Sequence, residues 1–208
     1  MSYLVQGTGQ WLAARAGRLT GSRMREATER LKNGKYAQSR DNLLKELLAE
    51  RLTGDSVRHY VSPEMLHGIA TEPIAKAEYE EEYGVILRPA LFYEHPTIDN
   101  FGATPDALLG DDTVVEIKCP KTTTHIGYCG LEDVPEAYKP QILTQLACTK
   151  RTRAIFISFD PRIKGPKRMS VRDWEPDPAE IEAIECEARE FLAELDHMFE
   201  IFTTTEHA

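Results

Sequence analysis

The stretch Phe101-Gly102-Ala103-Thr104-Pro105-Asp106-Ala107-Leu108-Leu109-Gly110-Asp111-Asp112-Thr113-Val114-Val115-Glu116-Ile117-Lys118 decides how this chain is read. Phe101–Leu109 and Val114–Lys118 are predicted strands, and Gly110-Asp111-Asp112 supplies the turn between them. A turn centred on Asp111 sets Asp106 opposite Glu116. Directly opposed residues bring their Cβ atoms to roughly 4.5–5.5 Å on one face of a sheet. Lys118 lies two residues beyond Glu116 and shares that face. Facing carboxylates repel, and their burial is costly without a positive partner. Lys118 compensates part of the charge. A hard divalent cation with oxygen ligands, Mg²⁺, compensates it better, with the main-chain oxygen of Ile117 placed to complete the shell. Such a metal activates water and stabilises charge on a phosphoryl group. Lys118 would orient or help deprotonate that water. The bare spacing also describes a surface hairpin with a cross-strand salt bridge. Glu116 and Lys118, however, interrupt an otherwise apolar strand, and polar residues there need a reason.

Outward from the hairpin, the apolar spacing changes period. Upstream, Leu43, Leu44, Leu47, Leu48 and Leu52 predict a helix from Ser39 to Thr53, capped by Ser39 and ended by Gly54. Ser62-Pro63-Glu64 opens a second helix towards Tyr83, with Ser62 as N-cap, Pro73 inside it and Gly84 at its end. Val85–Tyr93 reads as a strand. Downstream, Ala137–Thr149 is helical, Arg153–Phe159 is a central strand and Met169–Trp174 an edge strand. One long amphipathic helix follows from Asp177 to about Phe202. The order predicts an α/β fold: a single domain over 1–208 with a central mixed β-sheet flanked by helices.

Composition bounds the class. The chain has 208 residues, 41% hydrophobic and 28% charged, ordinary for a globular protein. No apolar run is long enough to span a membrane, and the start MSYLVQGTGQW lacks a signal-peptide layout. Cys119, Cys129, Cys148 and Cys186 form no CxxC pair, which argues against a zinc ribbon or a disulfide framework and for a reduced, intracellular setting. The net charge of −9 is unevenly spread. Residues 15–40 carry eight Lys or Arg against Glu26 and Glu29, and residues 151–172 carry seven against Asp160. From Asp173 onward there are twelve acids and one base. Two basic stretches could bind phosphates while the acidic tail faces elsewhere; a solvated acidic helix beside two ordinary basic loops fits the same pattern.

Six separated blocks carry a resemblance. They are Trp11-Leu-Ala-Ala-Arg15 with Thr20-Gly21-Ser22; Leu66-His67-Gly68 with Glu72; Gly102-Ala-Thr-Pro105-Asp106; Val115-Glu116-Ile117-Lys118-Cys119-Pro120; Tyr138-Lys-Pro-Gln141; and Phe159-Asp160-Pro161-Arg162. In order and spacing they resemble the PD-(D/E)xK nuclease superfamily and, more closely, the lambda-exonuclease or YqaJ-type viral recombinase family. The resemblance implies a restriction-endonuclease-like core and a processive 5′→3′ exonuclease on linear double-stranded DNA. Such an enzyme releases 5′-mononucleotides and leaves a 3′ single strand for phage-type recombination. It further implies Glu72, Asp106 and Glu116 as metal ligands with Ile117 contributing its carbonyl, Lys118 as the catalytic lysine, and Gln141 beside the metal. Arg15, Thr20 and Ser22 would bind the 5′-phosphate. Mg²⁺ is the implied cofactor, with Mn²⁺ as a substitute. The implied partners are duplex DNA, a single-strand annealing protein and further copies of the chain in a ring-shaped homotrimer, in the cytoplasm of a bacterial or phage-infected cell.

Departures exist. The family's Gln block often continues Q-x-x-x-Y, whereas Gln145 stands here and its role is open. The acidic residue of some members before the Pro-Asp block has no clear match; His95 and Asp99 lie in that region. An endonuclease with the same core needs no Arg15 or Ser22. An iron–sulfur nuclease would need clustered cysteines. An inert DNA-binding scaffold would not need Asp106, Glu116 and Lys118 together. Thr20-Gly21-Ser22 can also be a plain helix start, and Trp11, Cys119, His67 and His125 each have an ordinary structural reading.

Overall fold

The structure, a computed structural model, describes residues 15–56 and 62–204; Trp11 lies outside them. Four strands form the main sheet in the order β4 (Ala107–Leu109), β5 (Thr113–Lys118), β6 (Arg153–Phe159), β7 (Met169–Trp174). β5 and β6 run parallel, and the outer pairs run antiparallel. The hairpin register sets Ala107 on Val115 and Leu109 on Thr113, as a turn centred on Asp111 requires.

The predicted strand over Phe101–Leu109 breaks in two. Phe101–Ala103 (β3) leaves the main sheet and joins β1 (Leu19–Thr20) and β2 (Tyr93–Glu94) in a small sheet of order β1-β3-β2. The break falls at Thr104-Pro105-Asp106, where Pro105 has no N–H to give a ladder. The predicted strand Val85–Tyr93 also fails. Only Tyr93 and Glu94 pair as a strand, with one isolated bridge between Arg88 and Leu108. Val85 and Leu87 lean on a core cluster without a ladder.

Six helices flank the sheets among the described residues: α1 (Met24–Thr28), α2 (Gln38–Thr53), α3 (Pro63–Tyr83), α4 (Thr122–Cys129), α5 (Lys139–Thr149) and α6 (Pro178–Thr203). Ser62 caps α3 by accepting from Met65 N, and Gly84 at φ 63° ends it, where a residue without Cβ is favoured. Gly54 ends α2 in the same way. Ser39 does not cap α2; the N-cap is Ala37, and the Ser39 hydroxyl donates to Glu29. Asp177 and Glu180 form a capping box that starts α6. The helix α4 was not foreseen.

The main sheet is covered on both faces. Val115, Ile117, Ile155, Ile157 and Phe159 pack with Ala75 and Tyr79 of α3. Val114, Ala154 and Phe156 pack on the other side with Ile142 and Leu146 of α5. By alternation, Glu116 and Lys118 point to the α5 side. A third cluster joins α1, α2, β1, β3 and α6 around Leu43, Phe101, Phe191 and Leu195.

The acidic tail does not face away from the basic N-terminal stretch. The apolar stripe of α6 must be buried, and α2 is a surface that buries it, so the two charge patterns meet. Arg30 pairs with Glu187 at 2.8 Å, Arg40 with Glu194 at 2.7 Å and Arg51 with Asp196 at 2.5 Å.

Candidate active site

Glu116 sits in the middle of β5 with no solvent exposure. A buried carboxylate needs donors, and it has three. Gln141 Nε2 donates to Oε1 at 2.6 Å, and Gln145 Nε2 donates to Oε2 at 2.6 Å. Lys118 Nζ lies 2.5 Å from Oε1. The two glutamines stand four residues apart on α5 and so project from one face of the helix. Gln145, whose role the sequence left open, therefore clamps Glu116 together with Gln141. It also reaches the carbonyl of Thr104 at 3.4 Å.

Asp106 leaves the ladder at the strand break. Its N–H still donates to Val115 O at 3.1 Å, while its Oδ2 accepts the N–H of Ile117 at 2.7 Å. Burial first, then the charges of Glu116 and Glu72, hold its carboxyl well above the ordinary value; Lys118 and the Ile117 N–H oppose this. Burial works against the charged form of Lys118, but Glu116 and Asp106 outweigh it and raise its pKa. The ammonium also lies 5.1 Å from the centroid of the Tyr138 ring, within cation–π range.

Glu72 belongs to α3, which covers the opposite face of the sheet. It is held by Lys76 at 2.6 Å and acts on Asp106 through its charge rather than by contact. Among the described residues, no three acidic, His or Cys side chains stand at metal-binding spacing. The donor chemistry nevertheless fits a hard cation. Asp106, Glu116 and Glu72 offer only oxygens, the donors a hard cation takes, and after burial the charges of Glu116 and Glu72 add to the raised pKa of Asp106.

Arg15, Thr20 and Ser22 come together. The Arg15 guanidinium donates to Thr20 Oγ1 at 3.0 Å and to Ser22 Oγ at 2.9 Å, and the two hydroxyls lie 3.3 Å apart. Burial, then the charge of Arg23, pushes the Arg15 pKa down to about 10. The three residues line a narrow cleft whose other walls are Thr104, Gln141 and Gln145. The same glutamines thus touch both the cleft and Glu116. Two buried atoms in these walls, Thr104 Oγ1 and Gln145 Oε1, have no hydrogen-bond partner, as in a cleft shaped for a polar occupant. A second surface groove, lined by Tyr36, Arg40 and Glu194, contains none of these residues.

The remaining residues have structural roles. Cys119 packs on the α3 side of the sheet, and burial first raises its thiol to about 12. Buried His95 accepts the N–H groups of Thr97 and Ile98 and meets Glu185 at 3.0 Å. All four cysteines are free. No helix among the described residues is long and apolar enough to cross a membrane.

The YqaJ-like viral recombinase domain family matches residues 10–152, more than half the chain. The chain belongs to that family. No curated protein matches it. Among solved structures, the alkaline exonuclease LHK-Exo from Laribacter hongkongensis is similar at 39% identity with a TM-score of 0.86, covering 94% of this chain and 96% of that one. LHK-Exo in complex with dAMP is similar at 38% identity, with a TM-score of 0.87 and the same coverage. A phage-related exonuclease from Haemophilus somnus 129PT, 13% identical over 89% of this chain and 96% of that one, shares the fold at a TM-score of 0.72. As a YqaJ-like domain, the chain carries its carboxylate–lysine group on the central strand and its arginine cleft beside it.

Proposed function

We propose that this YqaJ-like domain is a Mg²⁺-dependent 5′→3′ exonuclease. It degrades one strand of linear double-stranded DNA from a 5′-phosphorylated end, releases 5′-mononucleotides and leaves a 3′ strand for recombination. The observation that carries the reading is the shared wall. Gln141 and Gln145 line the Arg15–Thr20–Ser22 cleft and also hold Glu116, which supports reading the cleft as the proposed end-reader beside the proposed hydrolytic group. The similar exonuclease LHK-Exo is described with dAMP, a deoxynucleoside 5′-monophosphate and thus the class of product expected here.

Asp106, Glu116 and Glu72, with the carbonyl of Ile117, would hold the cation; Mn²⁺ would substitute. When bound, the metal supplies a more acidic water and charge stabilisation at the phosphoryl group. The rest falls to the chain. Gln141 and Gln145 fix the plane of the Glu116 carboxylate. Lys118, 2.5 Å from Glu116, would orient or help deprotonate the attacking water and stabilise the charged phosphoryl oxygens. Arg15, with Thr20 and Ser22, offers a fork and hydroxyls to a terminal phosphate.

The same proposal includes duplex DNA and a single-strand annealing protein as partners, a ring-shaped homotrimer, and work in the cytoplasm of a bacterial or phage-infected cell. A timed digest tests its core. Linear duplex should be degraded with Mg²⁺, faster from a 5′-phosphate than from a 5′-hydroxyl, and not with chelator. Equal cutting of closed circular DNA would assign an endonuclease instead.

A further inference from the structure

The two basic stretches are far less available than their composition suggests. In the second, Arg153 pairs with Asp173, Arg168 with Glu78 and Arg162 with Asp160. Arg151 and Arg172 give their N–H groups to main-chain carbonyls. Lys164 and Lys167 remain, exposed and without an ion-pair partner among the described residues. Both lie on the loop that joins β6 to β7.

The loop is close to the site and its backbone is pinned. Ser158 of β6 is level with Lys118 of β5, and Asp160 follows two residues later, about 7 Å along the strand. Asp160 N donates to Arg168 O at 2.9 Å and closes the loop. The Asp160 carboxylate, with no exposure, accepts the Arg162 N–H at 3.0 Å and the Thr122 hydroxyl at 2.6 Å. That ties the loop to the segment just past Lys118. Buried His125 braces the far end: its Nε2 donates to the carbonyl of Lys167 at 2.8 Å, and its Nδ1 accepts from the Ser158 hydroxyl at 2.7 Å. A carbonyl only accepts, which fixes this assignment for a neutral imidazole. Gly165 at φ 92° turns the chain where residues with a Cβ are strained.

We propose that the β6–β7 loop, residues 160–168, is a preformed contact for the phosphate backbone of duplex DNA, made through Lys164 and Lys167 beside the Lys118 site. The inference rests on the nuclease reading above and names one surface that holds its substrate. A fixed backbone carrying cations with no competing carboxylate contacts a polyanion without the cost of ordering the loop backbone, leaving only the side chains to be ordered. It also reconciles the contact with a net charge of −9, since only local charge is needed. The Phe159-Asp160-Pro161-Arg162 block then has a task, which is to hold that loop.

The test is equilibrium binding of a labelled linear duplex, in chelator so that no cleavage occurs, across a salt series. Each phosphate neutralised contributes about 0.9 to the slope of log K against log salt. The Lys164→Gln/Lys167→Gln protein should therefore lose about 1.8 from that slope. A Lys32→Gln/Lys35→Gln protein, altered on the exposed turn between α1 and α2, should keep it. An unchanged slope in the loop variant, or an equal loss in the comparison variant, overturns the loop proposal even if wild-type protein degrades DNA. Failure of wild-type protein to bind or degrade linear duplex overturns the nuclease reading and the loop proposal together.

Discussion

Gln145 donates its side-chain amide to Oε2 of the fully buried Glu116 at 2.6 Å. The contact joins a helix to the central strand and leaves Gln145 Oε1 facing away without a donor. Gln145→Leu would strip one oxygen of a buried carboxylate of its partner. Such a loss costs on the order of 1–3 kcal/mol of stability. Loss of a residue that orients a ligand also lowers metal affinity or activity by about 10–100-fold. Thermal unfolding and a Mg²⁺ titration of the cleavage rate check both figures.

Asp106 and Glu116 repel each other in the metal-free protein. The folded-state pKa of Asp106 is raised. The unfolded chain therefore releases this proton at lower pH, and metal-free stability falls as pH rises from the unfolded value through the folded one. Asp106→Asn removes the repulsion and keeps an oxygen for the Ile117 N–H. At neutral pH it should raise metal-free stability by on the order of 1 kcal/mol, or about 2–4 °C in Tm. Mg²⁺ should stabilise wild type and have little effect on the variant. Thermal melts with and without Mg²⁺ read this out; a variant that melts lower than wild type without metal would contradict it.

Arg15 offers its guanidinium to the cleft that Ser22 and Thr20 share. Hydrogen bonds to charged groups are worth about 1.5–3 kcal/mol, so Arg15→Ala should reduce the preference for a 5′-phosphate over a 5′-hydroxyl by roughly 10–100-fold. The rate on 5′-hydroxyl ends should change little. Parallel digests of the two duplexes measure the ratio directly, and an equal loss on both ends would instead assign Arg15 a purely structural part.

Burial, the largest influence on each, pushes Cys148 and Cys119 up to about 12, while Cys186 is exposed on α6. Alkylation at pH 8 should label Cys186 first and leave Cys148 until the protein unfolds. The sign for stability follows. Between pH 9, the ordinary thiol value, and about 12, the unfolded chain ionises Cys148 and the folded chain does not. Stability should therefore fall across that window. Chemical unfolding at successive pH values follows it.

The hairpin was legible because turn position fixes register, and register fixes which residues share a face. Glu116 and Lys118 followed from alternation alone. The strand break at Thr104-Pro105-Asp106 was less legible, since Phe101–Ala103 and Ala107–Leu109 both look like strand and only partner choice separates them. Val85 and Leu87 misled for a related reason: a side chain can be buried without its backbone joining a ladder. The helix over Thr122–Cys129 buries only His125, too weak a pattern to see. Glu72 was placed on a helix, but sequence does not say which face of the sheet that helix covers. The spacing of Gln141 and Gln145, one helical turn apart, was the available signal for the clamp on Glu116. The pairing of Arg30, Arg40 and Arg51 with the acidic helix was not, because charge counts carry no information on which segments meet.

The central claim is that Lys118, held against Glu116 at 2.5 Å, performs hydrolysis in this site. The direct measurement compares wild type and Lys118→Ala on a linear 5′-phosphorylated duplex with Mg²⁺, following mononucleotide release and DNA binding together. The account predicts steady release by wild type, and by the variant no release with DNA binding retained. Release by Lys118→Ala at the wild-type rate would contradict it.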